Sequence, residues 1–388
     1  MLIYRYELKK LLKSAAVWGF IAVCLLFNII LISNNSGSAY ADFVNTVAED
    51  TGYILDQSFY EKLSQVTASD KQVKYYLEQL KYETDGVTDV FEGYEVKDIA
   101  DIYINVAGLS GFFAKTMRDK YTALQKVVEE KAERDESLTL YFAGATHHRH
   151  KFLFGTLTGW LYIEGVLVSV ILALLSIGYE NIHGTENLVY STKKGRLVLR
   201  PKFAASVTAG FLAYVLLALI TFVVYFGKTE YGGVWGSSVS SLFNYTVDLL
   251  IGGKRPFVTW YSFNILTYLM AMLAMGAGVV LCFMLMAFSI GILVRNSYMA
   301  FLVLLIANGI NVVLPMQVSQ TLTIGLAIKC FSILSPVWLW LKHGIWFTDG
   351  DIDIIWPHFE MLGLCMSLAV LTALCLLATN YFRKRDFT

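Results

Sequence analysis

The stretch "PFVTWYSFNILTYLMAMLAMGAGVVLCFMLMAFSIGILV", residues 256–294, holds 39 consecutive residues without a charged side chain. A helix needs about 20 apolar residues to cross the hydrocarbon core of a bilayer. Because lipid offers no hydrogen bonds, a spanning backbone must be a helix or part of a closed barrel. The alternating segments of about ten residues that are typical of barrel strands do not occur here. The stretch therefore predicts a membrane-spanning helix.

Similar runs recur along the chain of 388 residues, in which 16% of residues are charged against about 25% in soluble domains. One run contains a single acid, Glu164, and the others contain none. We therefore predict an all-α integral membrane protein with six transmembrane helices, at 15–32, 152–179, 203–226, 261–294, 297–314 and 357–380. The first run also has the basic start and the "AYA" step of a secretory signal. Its apolar part is longer than the usual core of about 7–15 residues, so we interpret it as a retained span.

Charge asymmetry predicts the orientation. If the spans alternate, the basic leader, the loop at 180–202 and the tail at 381–388 all lie on one side, which the positive-inside rule makes the cytoplasm. The opposite side receives residues 33–151, with 13 Lys and Arg against 20 Asp and Glu. We therefore expect a multi-pass protein of the cell membrane with both termini cytoplasmic.

The segments between the spans differ in pattern. Residues 33–151 carry helical periodicity, as at Val73, Leu77 and Leu80, and predict a helical extracytoplasmic domain. Residues 1–14 separate apolar from basic side chains and predict an interfacial helix. The basic residues of that helix are Arg5, Lys9, Lys10 and Lys13.

Two outer connections precede spans 4 and 6. Residues 227–260 are rich in Gly and Ser, which predicts an irregular outer loop. Residues 315–356 are apolar but broken at Pro315 and Pro336, which predicts re-entrant or interfacial helices. The tryptophans of that region are expected at headgroup level, and they are Trp338, Trp340 and Trp346.

Several kinds of chemistry are disfavoured. "GKT" at 227–229 follows Phe222 where a phosphate-binding loop needs Gly, so we expect this chain to bind no ATP itself. The five cysteines lie in or beside apolar runs, which fits neither a disulfide framework nor a zinc site. A net charge of zero gives no field that would attract nucleic acid. No catalytic constellation is recognisable, so we expect no enzyme.

Some polar residues in this sequence have two interpretations. The imidazoles in "HHRHK", residues 147–151, are a weak metal candidate beside Arg149, and a charged collar at the outer interface is the alternative. Glu164 in span 2 predicts either snorkelling to the outer interface or a polar contact in an outer vestibule. Asn308 and Asn311 lie on one face of span 5, where they either line a translocation path or form interhelical hydrogen bonds.

The loop between spans 2 and 3, "YENIHGTENLVYSTKKGRLVLRPK", carries the most specific pattern. Its marked positions, in order, are Glu180, Gly184-Thr185, Leu188-Val189, Ser191-Thr192, Arg196 and Lys202. With six spans and a leader helix, this chain resembles an ABC-2 type transporter permease. The family has a proline after the Ser-Thr step, where Lys193 stands here.

The resemblance implies the membrane subunit of an ATP-driven ABC exporter for an amphipathic or hydrophobic substrate, such as a peptide antibiotic, a lipid or a drug. Its implied partners are two copies of a cytoplasmic ABC ATPase, which bind ATP and Mg²⁺, a second permease chain, identical or homologous, and membrane lipid. The implied ATPase-coupling residues are Glu180, Gly184, Thr185, Glu186, Arg196 and Lys202. The alternatives are a loop that only anchors on lipid headgroups, or a membrane sensor whose extracytoplasmic domain binds a ligand.

Overall fold

Helices account for 74% of the computed structural model and strands for 4%. The structure describes residues 2–35, 37–190, 195–294, 296–318 and 323–384. Its α-helices are α1 (Leu2–Leu12), α2 (Ala15–Asn34), α3 (Ala39–Thr51), α4 (Gln57–Gln65), α5 (Lys71–Thr84), α6 (Lys97–Val106), α7 (Gly111–Ala132), α8 (Thr146–His150), α9 (Thr158–Ile182), α10 (Glu186–Tyr190), α11 (Leu199–Lys228), α12 (Ile265–Val294), α13 (Ser297–Gln317), α14 (Thr323–Ser332), α15 (Pro336–Leu341) and α16 (Phe359–Lys384). A π-helical segment, Lys151–Leu157, joins α8 to α9, and an antiparallel hairpin pairs β1 (Tyr245–Asp248) with β2 (Gly253–Pro256).

Among the described residues, six helices are long and apolar enough to cross a membrane, which is the number predicted from the sequence. We call them spans 1 to 6: Ala15–Asn34, Ala143–Ile182, Leu199–Lys228, Ile265–Val294, Ser297–Gln317 and Phe359–Lys384. Five of them extend beyond the predicted ranges, and in spans 2, 3 and 6 the helix continues past the charged residue at which the apolar run ends. Span 3, predicted at 203–226, thus includes Arg200, Lys202 and Lys228.

Pro315 lies inside span 5 and does not end it, so the predicted break at this residue is wrong. Proline has no N–H, and the carbonyl of Asn311, four residues earlier, therefore loses its helical donor. The indole Nε1–H of Trp338 donates to that carbonyl at 3.2 Å. The replacement bond lets the helix continue to its end and holds the following segment against span 5.

Side-chain contacts bring both ends of the chain to the same end of the bundle. Tyr4 Oη in α1 donates to Thr208 Oγ1 in span 3 at 3.0 Å. The ring of Tyr190, in the loop after span 2, packs edge-on against Phe382 near the end of span 6. We call this the loop end of the bundle and the opposite end, which carries residues 37–142, the insert end.

The helices predicted between spans 1 and 2 are present, but they do not form a self-contained domain. A hydrophobic core at the insert end combines α6 and α7 with side chains from two later connections. It includes Tyr103 and Met117 from the insert, Trp260 from the connection before span 4, and Leu326 and Ile355 from the connection before span 6. Three separate parts of the sequence therefore share one core.

The two later connections also correct the sequence prediction. Residues 227–260, predicted to be irregular, contain the β1–β2 hairpin, so the described fold is mostly helical and not all-α. Trp346 was expected at headgroup level, but its side chain is fully buried and stacks on Tyr162 with 5.4 Å between ring centroids. The indole of Trp340 donates to the carbonyl of Gly159 in span 2 at 3.2 Å. The segment that carries these two tryptophans therefore packs against span 2.

A buried polar network joins the insert to the segment before span 6. Arg255 in β2 is paired with Asp349, and Tyr121 Oη donates to the same carboxylate at 3.2 Å. Lys120 Nζ donates to the carbonyls of Asp349 and Ile354 at 2.8 and 2.6 Å. Because each cation has acceptors within the network, the cost of its burial is partly compensated.

The pH dependence of stability gives a test of the Lys120 environment. Burial lowers the pKa of Lys120 from 10.5 to about 8. Between these values the unfolded chain binds more protons than the folded chain, so the contribution of Lys120 to stability increases as the pH rises. We expect wild type to gain up to about 1.4 kcal/mol per pH unit relative to Lys120→Met between pH 8 and 9.5. Thermal unfolding midpoints that stay parallel for the two proteins over this range would contradict the assignment.

Candidate coupling surface at the loop end

An ion pair between Glu180 and Lys202 lies at the centre of the loop end. Glu180 is in the last turn of span 2 and Lys202 in the first turns of span 3, and both side chains are buried, Lys202 completely. Lys202 Nζ also donates to the carbonyl of Ser176 at 2.5 Å. A buried charge is costly unless it is paired and hydrogen-bonded, and this pair meets both conditions. It therefore fixes the ends of spans 2 and 3 relative to each other.

Two further elements contact the same carboxylate. Tyr190 Oη at the end of α10 donates to Glu180 Oε2 at 3.1 Å. Lys10 Nζ of α1 is 3.8 Å from Glu180 Oε1, 2.5 Å from Glu7 Oε2, and 3.9 Å from the centroid of the Tyr179 ring. The Glu180 side chain thus connects α1, span 2, α10 and span 3.

The sequence explains the sharp turn that follows span 2. Gly184 adopts a φ of +66°, a left-handed conformation that costs glycine little. In this turn Thr185 N donates to the carbonyl of Glu180 at 2.9 Å, which closes the helix end. Asn181 Nδ2 donates to Glu186 Oε2 at 3.1 Å, and this bond ties the first turn of α10 back to span 2.

Several apolar side chains on the loop are exposed. Leu188 in α10 is 77% exposed, and Ile182 and Leu197 on either side of it are also exposed. In α1, Leu2 and Tyr6 are exposed in the same way. Exposed apolar residues grouped beside a fixed polar centre are a common feature of protein or membrane contact surfaces.

The structure separates the predicted coupling residues into two groups. Glu180 does not present its charge at the surface, because its carboxylate is buried against Lys202, which is buried as well. Gly184 is exposed, and Thr185 and Glu186 are half-buried at the surface of the turn. Arg196 lies in the turn Gly195–Leu197, but its side chain, like residues 191–194, falls outside the described part. The coupling roles themselves stay predictions.

The basic residues of α1 also divide into two sets. Lys10 points into the Glu180 centre, whereas Arg5, Lys9 and Lys13 are exposed. The chain turns between α1 and span 1, where Trp18 Nε1 donates to the carbonyl of Leu12 at 2.7 Å. Helix α1 is therefore separate from span 1 and has an exposed basic set, and its location at a membrane interface stays a prediction.

Glu164 is buried inside the bundle and does not snorkel, whereas its alternative role in an outer vestibule is not tested by the structure. Its side chain is buried, and Oε2 accepts from Asn28 Nδ2 of span 1 at 2.8 Å. Asn28 Nδ2 also lies 3.0 Å from Thr221 Oγ1 of span 3. The three residues form a polar contact between spans 1, 2 and 3, as polar groups inside membranes often do.

The two asparagines of span 5 form hydrogen bonds with their own helix or with the segment that follows it. Asn308 Nδ2 donates to the carbonyl of Leu304 at 2.9 Å. Asn311 Oδ1 accepts from Ser335 Oγ at 3.0 Å, so it connects span 5 to the segment before α15. Both side chains are half-buried. The interhelical interpretation therefore describes Asn311, and a role of either residue in a translocation path remains a prediction.

The basic cluster at 147–151, near the start of span 2, is divided: His148 and Lys151 are exposed, whereas Arg149 and His150 are buried. Arg149 is buried, paired with Asp42, and donates to the carbonyl of Glu230 at 3.0 Å. His150 is buried with Nδ1 3.1 Å from Tyr141 Oη. No group of three or more His, Cys, Asp and Glu that could hold a metal occurs among the described residues. The side chain of His147 falls outside them.

Sequence reasoning missed the groups that complete these centres. Asn28 sits alone in an apolar run, and a polar residue that interrupts such a run was the available signal. Tyr190 gave no signal, because its contact with Glu180 depends on how the chain turns at Gly184. The chain matches no protein-family model, no curated protein and no solved structure.

Proposed function

We propose that this chain is the membrane-spanning permease subunit of an ATP-driven exporter in the cell membrane, with its loop end in the cytoplasm. The basic residues at that end favour this orientation. ATP and Mg²⁺ bind to a separate ATPase, of which two copies act with a pair of permease chains. The substrate is amphipathic or hydrophobic, since the faces of the spans are apolar.

The buried Glu180–Lys202 centre is the observation that carries this proposal. It joins α1 and α10, which are on the surface, to spans 2 and 3, which cross the bundle. A force applied to α10 is transmitted to both spans because a buried, fully paired network has few alternative arrangements. Rigid elements with fixed contacts of this kind transmit domain motion. The exposed Leu188 and its neighbours are the proposed contact for the ATPase.

A second permease chain supplies the other half of the path in this proposal. Span 5 is the least buried of the six. Only 17% of its most apolar stretch is buried inside the protein, so most of its surface can contact lipid or a second chain. Asn308 and Asn311 are the polar groups on that span with which a substrate or the second chain makes contact. Glu164 is buried between spans 1, 2 and 3, so we place it outside the path.

Affinity purification of the full-length chain from its native membranes tests the proposal. We expect a nucleotide-binding ATPase to copurify with wild type at one copy per permease. Leu188→Glu, on the exposed side of α10, is expected to abolish this association. The matched control is Leu249→Glu, which is 87% exposed at the tip of the hairpin on the insert end and should leave association unchanged. Equal recovery of the ATPase with both variants, or none with wild type, would overturn the proposed function.

A further inference from the structure

A groove runs along spans 3 and 4, and toward the loop end it is also bordered by span 6. It consists of two adjoining cavities of about 480 and 250 Å³, which share Val207 of span 3 and Leu281 of span 4 in their walls. Leu376 of span 6 and Phe211 of span 3 lie at its margins, and both are largely exposed. The groove therefore opens sideways, toward the space that lipid occupies around a spanning helix.

The lining limits what can fill this space. Its wall within the spans is almost wholly apolar, and apolar cavities do not hold ordered water well. A single acyl chain is narrow and flexible enough to fit. The apolar lining therefore favours an acyl chain as the occupant.

The chemistry changes at the loop end of the groove. Arg200 is exposed at this mouth, and no acid among the described residues lies within ion-pair distance of it. Asn380 and Thr379 of span 6 line the same mouth, and Lys384 follows one turn beyond. A guanidinium is well suited to phosphate oxygens, and basic residues beside a span attract anionic lipid. The mouth therefore has the charge complementary to a phosphate headgroup.

We propose that this groove binds one anionic phospholipid, with an acyl chain along Val207 and Leu281 and the phosphate at Arg200. The site is built from one chain and needs neither an ATPase nor a transported substrate. It therefore does not depend on the proposed function. A bound lipid would fill the space between spans 3 and 6 and restrain their relative movement.

Photocrosslinking in nanodiscs tests the site on the purified full-length chain. The probe is a phosphatidylglycerol whose acyl chain carries a diazirine, and the comparison probe is the corresponding phosphatidylcholine. With phosphatidylglycerol we expect crosslinked peptides from the groove faces of spans 3 and 6. Val207→Trp fills the groove and should remove this signal. Leu219→Trp, on an exposed part of the same span outside the groove, should keep it.

Arg200→Gln examines the headgroup contact separately and changes only an exposed side chain. It should lower the preference for phosphatidylglycerol over phosphatidylcholine by about five-fold, the effect of one basic residue near an anionic lipid. Equal crosslinking in the two tryptophan variants, label spread evenly over the exposed faces, or a lipid preference unchanged in Arg200→Gln would overturn the proposal. Crosslinking between the groove and a second copy of the chain would also overturn it.

Discussion

Glu180→Gln is expected to lower the free energy of unfolding of the full-length chain by about 3–5 kcal/mol, the usual cost of leaving a buried charge without its partner. Gln has nearly the same shape as Glu, so packing at the end of span 2 is kept. Lys202 remains completely buried but has lost its counter-charge, and its hydrogen bond to Ser176 offsets only part of the cost. Unfolding by denaturing detergent in mixed micelles measures the change.

Two further variants make this test specific. Glu186→Gln changes the other loop glutamate, which is half-buried and bonded to Asn181, and should cost less than about 1 kcal/mol. The double variant Glu180→Gln with Lys202→Met removes both charges and should recover most of the lost stability, because an apolar pair often replaces a buried ion pair at little cost. A double variant less stable than Glu180→Gln would show that the pair is not what holds this end together.

Asp349→Asn is expected to have an effect of similar size at the insert end. Asp349 is the carboxylate that Arg255 and Tyr121 contact, and Arg255 is buried. The amide cannot neutralise the guanidinium, so we expect the stability of the shared core at this end to fall by about 3–5 kcal/mol. Hydrogen exchange of α7 measured by mass spectrometry should increase, since α7 is anchored through Lys120 to the same segment.

Asp351→Asn is the control for this second prediction. Asp351 lies two residues away and pairs with Lys342 in a partly exposed position, so its loss should cost about 1 kcal/mol or less. Unchanged exchange of α7 in Asp349→Asn, or equal effects in the two variants, would contradict the anchoring role of Asp349.

The six spans were predictable from the sequence because each is a long apolar run with at most one charged residue, and runs long enough to cross a bilayer form helices. The ends of the spans were harder to predict from the sequence. The continuation of span 5 past Pro315 depends on an indole 23 residues later that replaces the missing donor. Such a compensation depends on tertiary contact and has no local pattern.

The coupling residues show the same limit. The pattern from Glu180 to Lys202 was visible, but whether each charge faces outward or inward depends on neighbours from α1 and α10. In the insert, helical periodicity was readable at Leu77 and Leu80, which are buried. Nothing in the sequence indicated that Trp260 and Ile355 contribute to the core of the insert, since those residues lie more than 100 positions further along the chain.

The shared core at the insert end has a consequence for biogenesis. Helices α6 and α7 leave the ribosome early, yet Leu326 and Ile355 are made only after five of the six spans. Until then the nascent insert exposes the apolar side chains that those residues later cover. The exposed insert therefore has to avoid aggregation during most of translation. The core at the insert end can be completed only after the segment before span 6 has been synthesised.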